Sequence, residues 1–195
     1  MGSNKVYLFY VCIQNNTVME KQSNSVKQMA MTNGLFLGLA LILNSVIFYV
    51  SGSPFSQVSG YISYALIIGA TVWTMYSYRQ IDPEAGLTYG RALGLGTLNS
   101  LFASLILAFF TFVLFKIVDK TLIEKFLIFL EEQLLKSGAK DAQVDMLMPM
   151  YRKLMTPLTY SLSMIFSITL MGFIFSLIIA IFFKKEPKDP FHGIE

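Results

Sequence analysis

Asn44 and Asn99 are the strongest hydrogen-bonding side chains within the long apolar runs of this 195-residue chain, and Arg91 opens one of those runs. An amide carried into hydrocarbon either binds a neighbouring helix or meets a polar group of a solute; the helix-binding reading is preferred for both asparagines. Arg91 stands in Gly86-Leu87-Thr88-Tyr89-Gly90-Arg91-Ala92, close in sequence to Asp82 and Glu84. It reads as a snorkelling anchor at the membrane surface, with binding of a lipid phosphate or a partner as the alternative. Thr71, Thr74, Thr111 and Thr169 are expected to bond their own helix backbone.

Other reactive chemistry lacks its parts. The lone His192 lies in a charged tail, and the single Cys12 has neither a second cysteine nor a nearby histidine to build a metal cage or a catalytic dyad. Serines and threonines are plentiful but have no conventional base, and no Asp, Glu or Lys interrupts the apolar runs, as an ion-coupled carrier would require. The glycines Gly86, Gly90, Gly94 and Gly96 do not form a nucleotide loop, since membrane-apolar residues follow them and no strand precedes them. No catalytic, cofactor-binding or metal-binding residues are therefore assigned, no cofactor is expected, and the chain is not read as an enzyme.

The elements that hold these residues are four apolar runs, over about 29–50, 58–78, 89–115 and 157–183. Each has about 20 residues or more, enough at 1.5 Å per residue to cross a hydrocarbon core of roughly 30 Å. The fold class is all-α, a polytopic membrane protein with four transmembrane helices. A 54% hydrophobic fraction, only 14% charged residues and a mean hydropathy of +0.58 agree with that. The net charge of +3 comes from basic residues beside the runs and not from a nucleic-acid patch.

Residues 1–18 stand apart. Their apolar stretch from Val6 to Ile13 is too short to span, and the sequence before Met19 reads as a non-native or misassigned extension of a single membrane domain over 19–195. Ser51-Gly52-Ser53-Pro54 ends the first run in a neutral turn, and Trp73, Tyr76 and Tyr78 at one end of the second run face Tyr61 and Tyr64 at the other as an aromatic belt.

Residues 116–155 mix charges with apolar residues and read as an amphipathic helical insert. Val118, Leu122, Phe126, Phe129, Leu130 and Leu134 recur at spacings of three and four, opposite Lys120, Glu124, Lys125, Glu131 and Glu132. Ser137-Gly138 ends this helix, and a shorter one follows from Asp141, with Pro149 expected to bend or interrupt it.

Lys21, Lys27, Arg79, Arg91, Lys184, Lys185 and Lys188 fall on one side of a four-span arrangement, which places both termini in the cytoplasm. Lys116, Lys120, Arg152 and Lys153 on the other side weaken the bias. Ala92, Gly96, Ser100, Ser104 and Ala108 form a small-residue stripe, with shorter ones at Gly34 and Gly38 and at Gly172, Ser176 and Ala180. These suit close packing within one bundle, a homo-oligomer seam being the alternative.

In order along the chain, the Gly86 to Ala92 motif, the charged and Met-rich segment, and the closing Phe183-Lys184-Lys185-Glu186-Pro187-Lys188-Asp189-Pro190-Phe191 resemble an uncharacterised family of bacterial four-span membrane proteins, known as a domain of unknown function. The resemblance covers the chain from Met19 onward. It implies four helices in a bacterial inner membrane and carries no site residues. The function expected is that of a non-enzymatic membrane component or accessory subunit acting through helix, lipid or partner contacts; the alternative is a small oligomeric transporter or channel subunit for an apolar or lipid-like solute. The partners expected are the lipid bilayer, a protein docked on the 116–155 insert and a second copy, without nucleic acid.

Overall fold

The structure is a computed structural model that describes residues 3–81 and 87–183, with side chains for 26–80 and 87–183. Asp82, Glu84, the tail from Lys184 to His192 and the side chains of Cys12 and Lys21 lie outside the described residues, as do the sequence readings that rest on them. The described residues form helices joined by short turns: α1 (Ser3–Val50), α2 (Gln57–Ile81), α3 (Tyr89–Val113), a π-helical turn (Leu114–Val118), α4 (Leu122–Lys136), α5 (Asp141–Leu154) and α6 (Pro157–Phe183). Four segments are long and apolar enough to cross a membrane: Val26–Val50, Gln57–Gln80, Tyr89–Val118 and Pro157–Phe183. The architecture is the all-α, four-span one expected.

Local chemistry sets the helix ends. α1 stops where Gly52 takes φ +74°, letting Gly52 and Ser53 donate back to Tyr49 and Phe48 carbonyls; Gly138, at φ +87°, closes α4 in the same way. Thr156 caps α6 by accepting from the Thr159 amide at 3.2 Å, ahead of Pro157 at the first helical position. α5 runs through Pro149 without the interruption that was one of the two effects expected of it. Pro149 lies on an exposed face of α5.

α3 is the central helix and packs chiefly on α1 and α6. Its small residues are spent there. Gly34 of α1 approaches α3 so closely that a Cβ would stand 2.8 Å from the Asn99 carbonyl oxygen, and Gly96 and Gly172 make equivalent room in the α3–α6 seam. The stripe at Ala92, Gly96, Ser100, Ser104 and Ala108 is buried inside one chain.

The insert folds back on the bundle. α4 turns Leu122, Phe126 and Phe129 toward Phe55 of the α1–α2 loop, Phe115 and Tyr160, and turns Leu127 toward Val144 and Met148 of α5. Gln57 donates to Gln133 at 3.0 Å. The insert and the α1–α2 loop therefore share one end of the bundle, while Arg79 and Phe183 meet at 6.0 Å at the other. The expected stripe needs two corrections: Val118 is exposed because it belongs to the π-helical turn, and Leu127, omitted from the stripe, is buried because α4 carries a second apolar face. Tyr78 is likewise buried in the core beside Met75 and Leu95, leaving Trp73, Tyr76, Tyr61 and Tyr64 exposed as belt residues.

Candidate functional site

Two features of the bundle interior concentrate its polar chemistry. The first is a layer crossing all four spans. One apolar cluster gathers Ala30, Met75, Leu87, Leu95 and Ala180, and another gathers Leu37, Leu41, Ile67, Ala103 and Leu107. Between them, at successive helical positions, lie Asn33, Thr71, Thr74, Asn99, Ser100 and Ser176. Thr71 and Thr74 bond their own helix, donating to Ile67 and Ala70 carbonyls at 2.8 and 2.7 Å. Thr169 does not: its hydroxyl meets Ser104 across the α3–α6 seam at 3.2 Å. Asn99 departs further from expectation. Its side chain is fully buried, and among the described residues neither its Oδ1 nor its Nδ2 finds a hydrogen-bond partner.

The second feature is a cleft between α2 and α6, open to the side of the bundle. Two connected cavities of about 390 and 340 Å³ share Leu41, Gly60, Ser63, Leu107, Tyr160 and Met164. That is within the range of small-molecule sites, roughly 300–1,000 Å³. From Tyr160 to Met171 the cleft follows about three turns of α6, roughly 16 Å, or about half the hydrocarbon thickness.

Apolar side chains predominate at both ends. The deep end is walled by Ile67, Ile168 and Met171 together with Ser163 and Ser167, while the end nearest the insert adds Asn44, Ser59 and Thr111 among aromatic and aliphatic side chains. Asn44 is 7% exposed and donates from Nδ2 to the Ser59 carbonyl at 3.2 Å, to Ser59 Oγ at 3.1 Å and to Ser63 Oγ at 3.0 Å. It thus ties α1 to α2, as expected of an interhelical asparagine. A carbonyl can only accept, so the Ser59 contact fixes nitrogen on that side and leaves Oδ1 as the free acceptor. Tyr160 stacks on Phe115 with centroids 4.8 Å apart and meets the Phe126 ring edge at 4.8 Å, so its ring is held from two sides. No Asp, Glu, Lys, Arg or His lines either cavity.

A family model described as a protein of unknown function (DUF4199) matches residues 32–185, from early in the first span to the end of the last. The chain belongs to that family. No curated protein and no solved structure matches this DUF4199 chain.

Of the residues singled out in sequence, the DUF4199 fold brings Asn44 and Thr111 into the cleft, with Tyr64 and the insert residues Leu122, Phe126 and Phe129 in its wall. Asn99 lies in the buried layer, and Arg91 is half-buried in the first turn of α3, at the opposite end of the bundle from α4. Ser59, Gly60, Ser63 and Tyr160 were not selected from sequence. Their signal lay in spacing: Tyr160, Ser163 and Ser167 recur at three and four residues on α6, and Ser59 and Ser63 at four on α2.

Proposed function

We propose that this DUF4199 protein is a non-enzymatic component of the bacterial inner membrane, with both termini cytoplasmic, that holds a lipid-like molecule in the α2–α6 cleft. The observation that carries this reading is the cleft itself. It opens between α2 and α6, is lined mainly by apolar side chains with serine hydroxyls along its length, and carries amides, those of Asn44 and Gln57, only at the end near the insert, a wall suited to an amphiphile lying in one leaflet. α4 covers the polar end with Leu122, Phe126 and Phe129, giving the insert a part in retaining the guest.

Gly60 offers a clean test. It lines both halves of the cleft, and a Cβ built on it meets no atom within 4 Å, so the side chain of Gly60→Trp starts into open space and is expected to fill the cleft. Native mass spectrometry of the protein released from nanodiscs is expected to show a retained lipid in the wild type and its loss in Gly60→Trp, at unchanged melting temperature. Equal lipid retention by both would defeat the proposal.

A second reading has its own observation. On α5, Met146 is 80% exposed and Met150 56%, on the side facing away from Val144 and Met148, which presents an adaptable apolar surface to a protein partner. Crosslinking from a photoreactive residue at Met146 in native membranes is expected to capture one protein at fixed stoichiometry; lipid adducts alone would count against a partner there.

A further inference from the structure

The chemistry of the cleft's polar end narrows the guest, provided the cleft holds a lipid-like molecule as proposed above. Three properties of that end act together. No Asp, Glu, Lys, Arg or His lines it, and the charges behind its Tyr49, which donates to Asp119 at 3.5 Å, are already paired, Asp119 with Lys125 at 3.1 Å, so a phosphate or ammonium entering it would meet no free counter-ion in the wall. It contains an acceptor fixed in place, because the amide nitrogen of Asn44 is already committed to Ser59 and Ser63 and its Oδ1 has no hydrogen bond among the described residues. It also contains a spare hydroxyl: Tyr160 makes ring contacts on two sides, yet its phenol oxygen has no hydrogen bond among the described residues and is not fully buried.

A free acceptor and a free hydroxyl on the wall of one cavity that no charged side chain lines are complementary to one group in particular. An alcohol donates one hydrogen bond and accepts another, and adds no charge. We infer that the cleft selects a neutral lipid bearing a free hydroxyl, of the diacylglycerol or long-chain alcohol class, whose hydroxyl donates to Asn44 Oδ1 and accepts from Tyr160 while its chains lie along Ile67, Ile168 and Met171. Phospholipids are excluded by their headgroup charge and not by their chains. Burying the hydroxyl here satisfies two protein groups that an apolar chain end would leave unpaired, which is where discrimination arises.

The test uses the full chain in nanodiscs doped with dioleoylglycerol, its 3-acetyl ester, or dioleoyl phosphatidate at equal mole fraction, with retained lipid read by native mass spectrometry. Dioleoylglycerol is expected to be retained about three- to tenfold better than the ester, the range given by one neutral hydrogen bond, and well ahead of phosphatidate. Tyr160→Phe keeps the ring stack and removes only the hydroxyl; it is expected to cut dioleoylglycerol retention and so narrow its lead over phosphatidate. Equal retention of alcohol and ester, or preference for phosphatidate, with either still displaced by Gly60→Trp, overturns the headgroup assignment and leaves the cleft standing. Binding of none of the three, with no effect of Gly60→Trp on any lipid, overturns the cleft reading as well.

Discussion

Gly96 of α3 and Ser176 of α6 face each other so closely that a Cβ on Gly96 would stand 2.9 Å from the Ser176 Cβ and 3.0 Å from Thr71 Cγ2. One turn away the roles reverse, with Gly172 making room for Ser100. Each serine donates to the carbonyl of the glycine four residues before it in its own helix: Ser100 to Gly96 at 3.0 Å and Ser176 to Gly172 at 2.6 Å. The two helices run antiparallel, and their hydroxyls are satisfied locally, so the seam rests on close backbone approach and packing.

Gly96→Ala should therefore destabilise the bundle by about 1–3 kcal/mol through overpacking, and Gly96→Leu by more. Adding Ser176→Gly to Gly96→Ala should return part of that loss, since the worst clash is removed while Thr71 still crowds the site. Thermal melting in detergent of the two single variants and the double variant checks this; strictly additive losses would show that the two residues do not share a contact.

Asn99 buries an amide without a partner among the described residues, which costs about 1–3 kcal/mol per unsatisfied group. Asn99→Leu is expected to keep or raise the melting temperature, while Asn99→Asp, which places a carboxyl in the same layer, should lower it sharply. A large loss of stability in Asn99→Leu would mean that the amide is satisfied in the membrane by a group that binds there.

Asp119 begins the loop ahead of α4, outside the spans. Hydrogen bonds from the Thr121 side chain and then from Lys125, whose Nζ is 3.1 Å away, hold its carboxyl down from the ordinary 3.8 to about 2. A folded-state pKa below the unfolded one stabilises the loop fully above about pH 4, and that contribution is lost as pH falls toward 2. Acid titration of α4 amide exchange should show loosening in that window, and Asp119→Asn should remove the pH dependence while leaving α4 loose at neutral pH.

Phe55 touches Phe115, Phe126 and Phe129, with centroids 6.2, 5.3 and 6.1 Å away, and is the main side chain joining the α1–α2 loop to α4. Phe55→Ala should accelerate hydrogen exchange in α4 and α5 by tenfold or more, a change of about 1.4 kcal/mol, and leave exchange in α3 and α6 unaltered. Uniform acceleration across all helices would show that the insert unfolds only with the bundle.

Ser53 in the α1–α2 loop and Lys140 before α5 belong to the same end of the bundle. In a Cys12→Ser background, Ser53→Cys and Lys140→Cys should both react with an impermeant maleimide added outside intact cells, which places the termini in the cytoplasm. Reaction only after permeabilisation would invert the orientation.

The four spans were legible because hydrocarbon imposes a length and forbids charge: the fourth is found at the residues expected, and the others shift only at their ends. Helix stops at Gly52 and Gly138 were equally legible, since a positive φ favours glycine. Small-residue spacing announced close packing in α3 but not its partner, which emerged only when Gly96 met Ser176 and Gly34 met Asn99. The same limit applied to polar residues. Asn44 and Asn99 are the same residue type in similar apolar runs, yet one bonds α2 beside a cleft and the other is sealed in the core. Helix rotation and the divergence of α2 from α6 separate their fates, and both depend on contacts between segments far apart in the chain. Composition and periodicity thus determined how many helices cross the membrane and where they end; only tertiary packing decided which hydroxyls and amides converge on a space that a guest can enter.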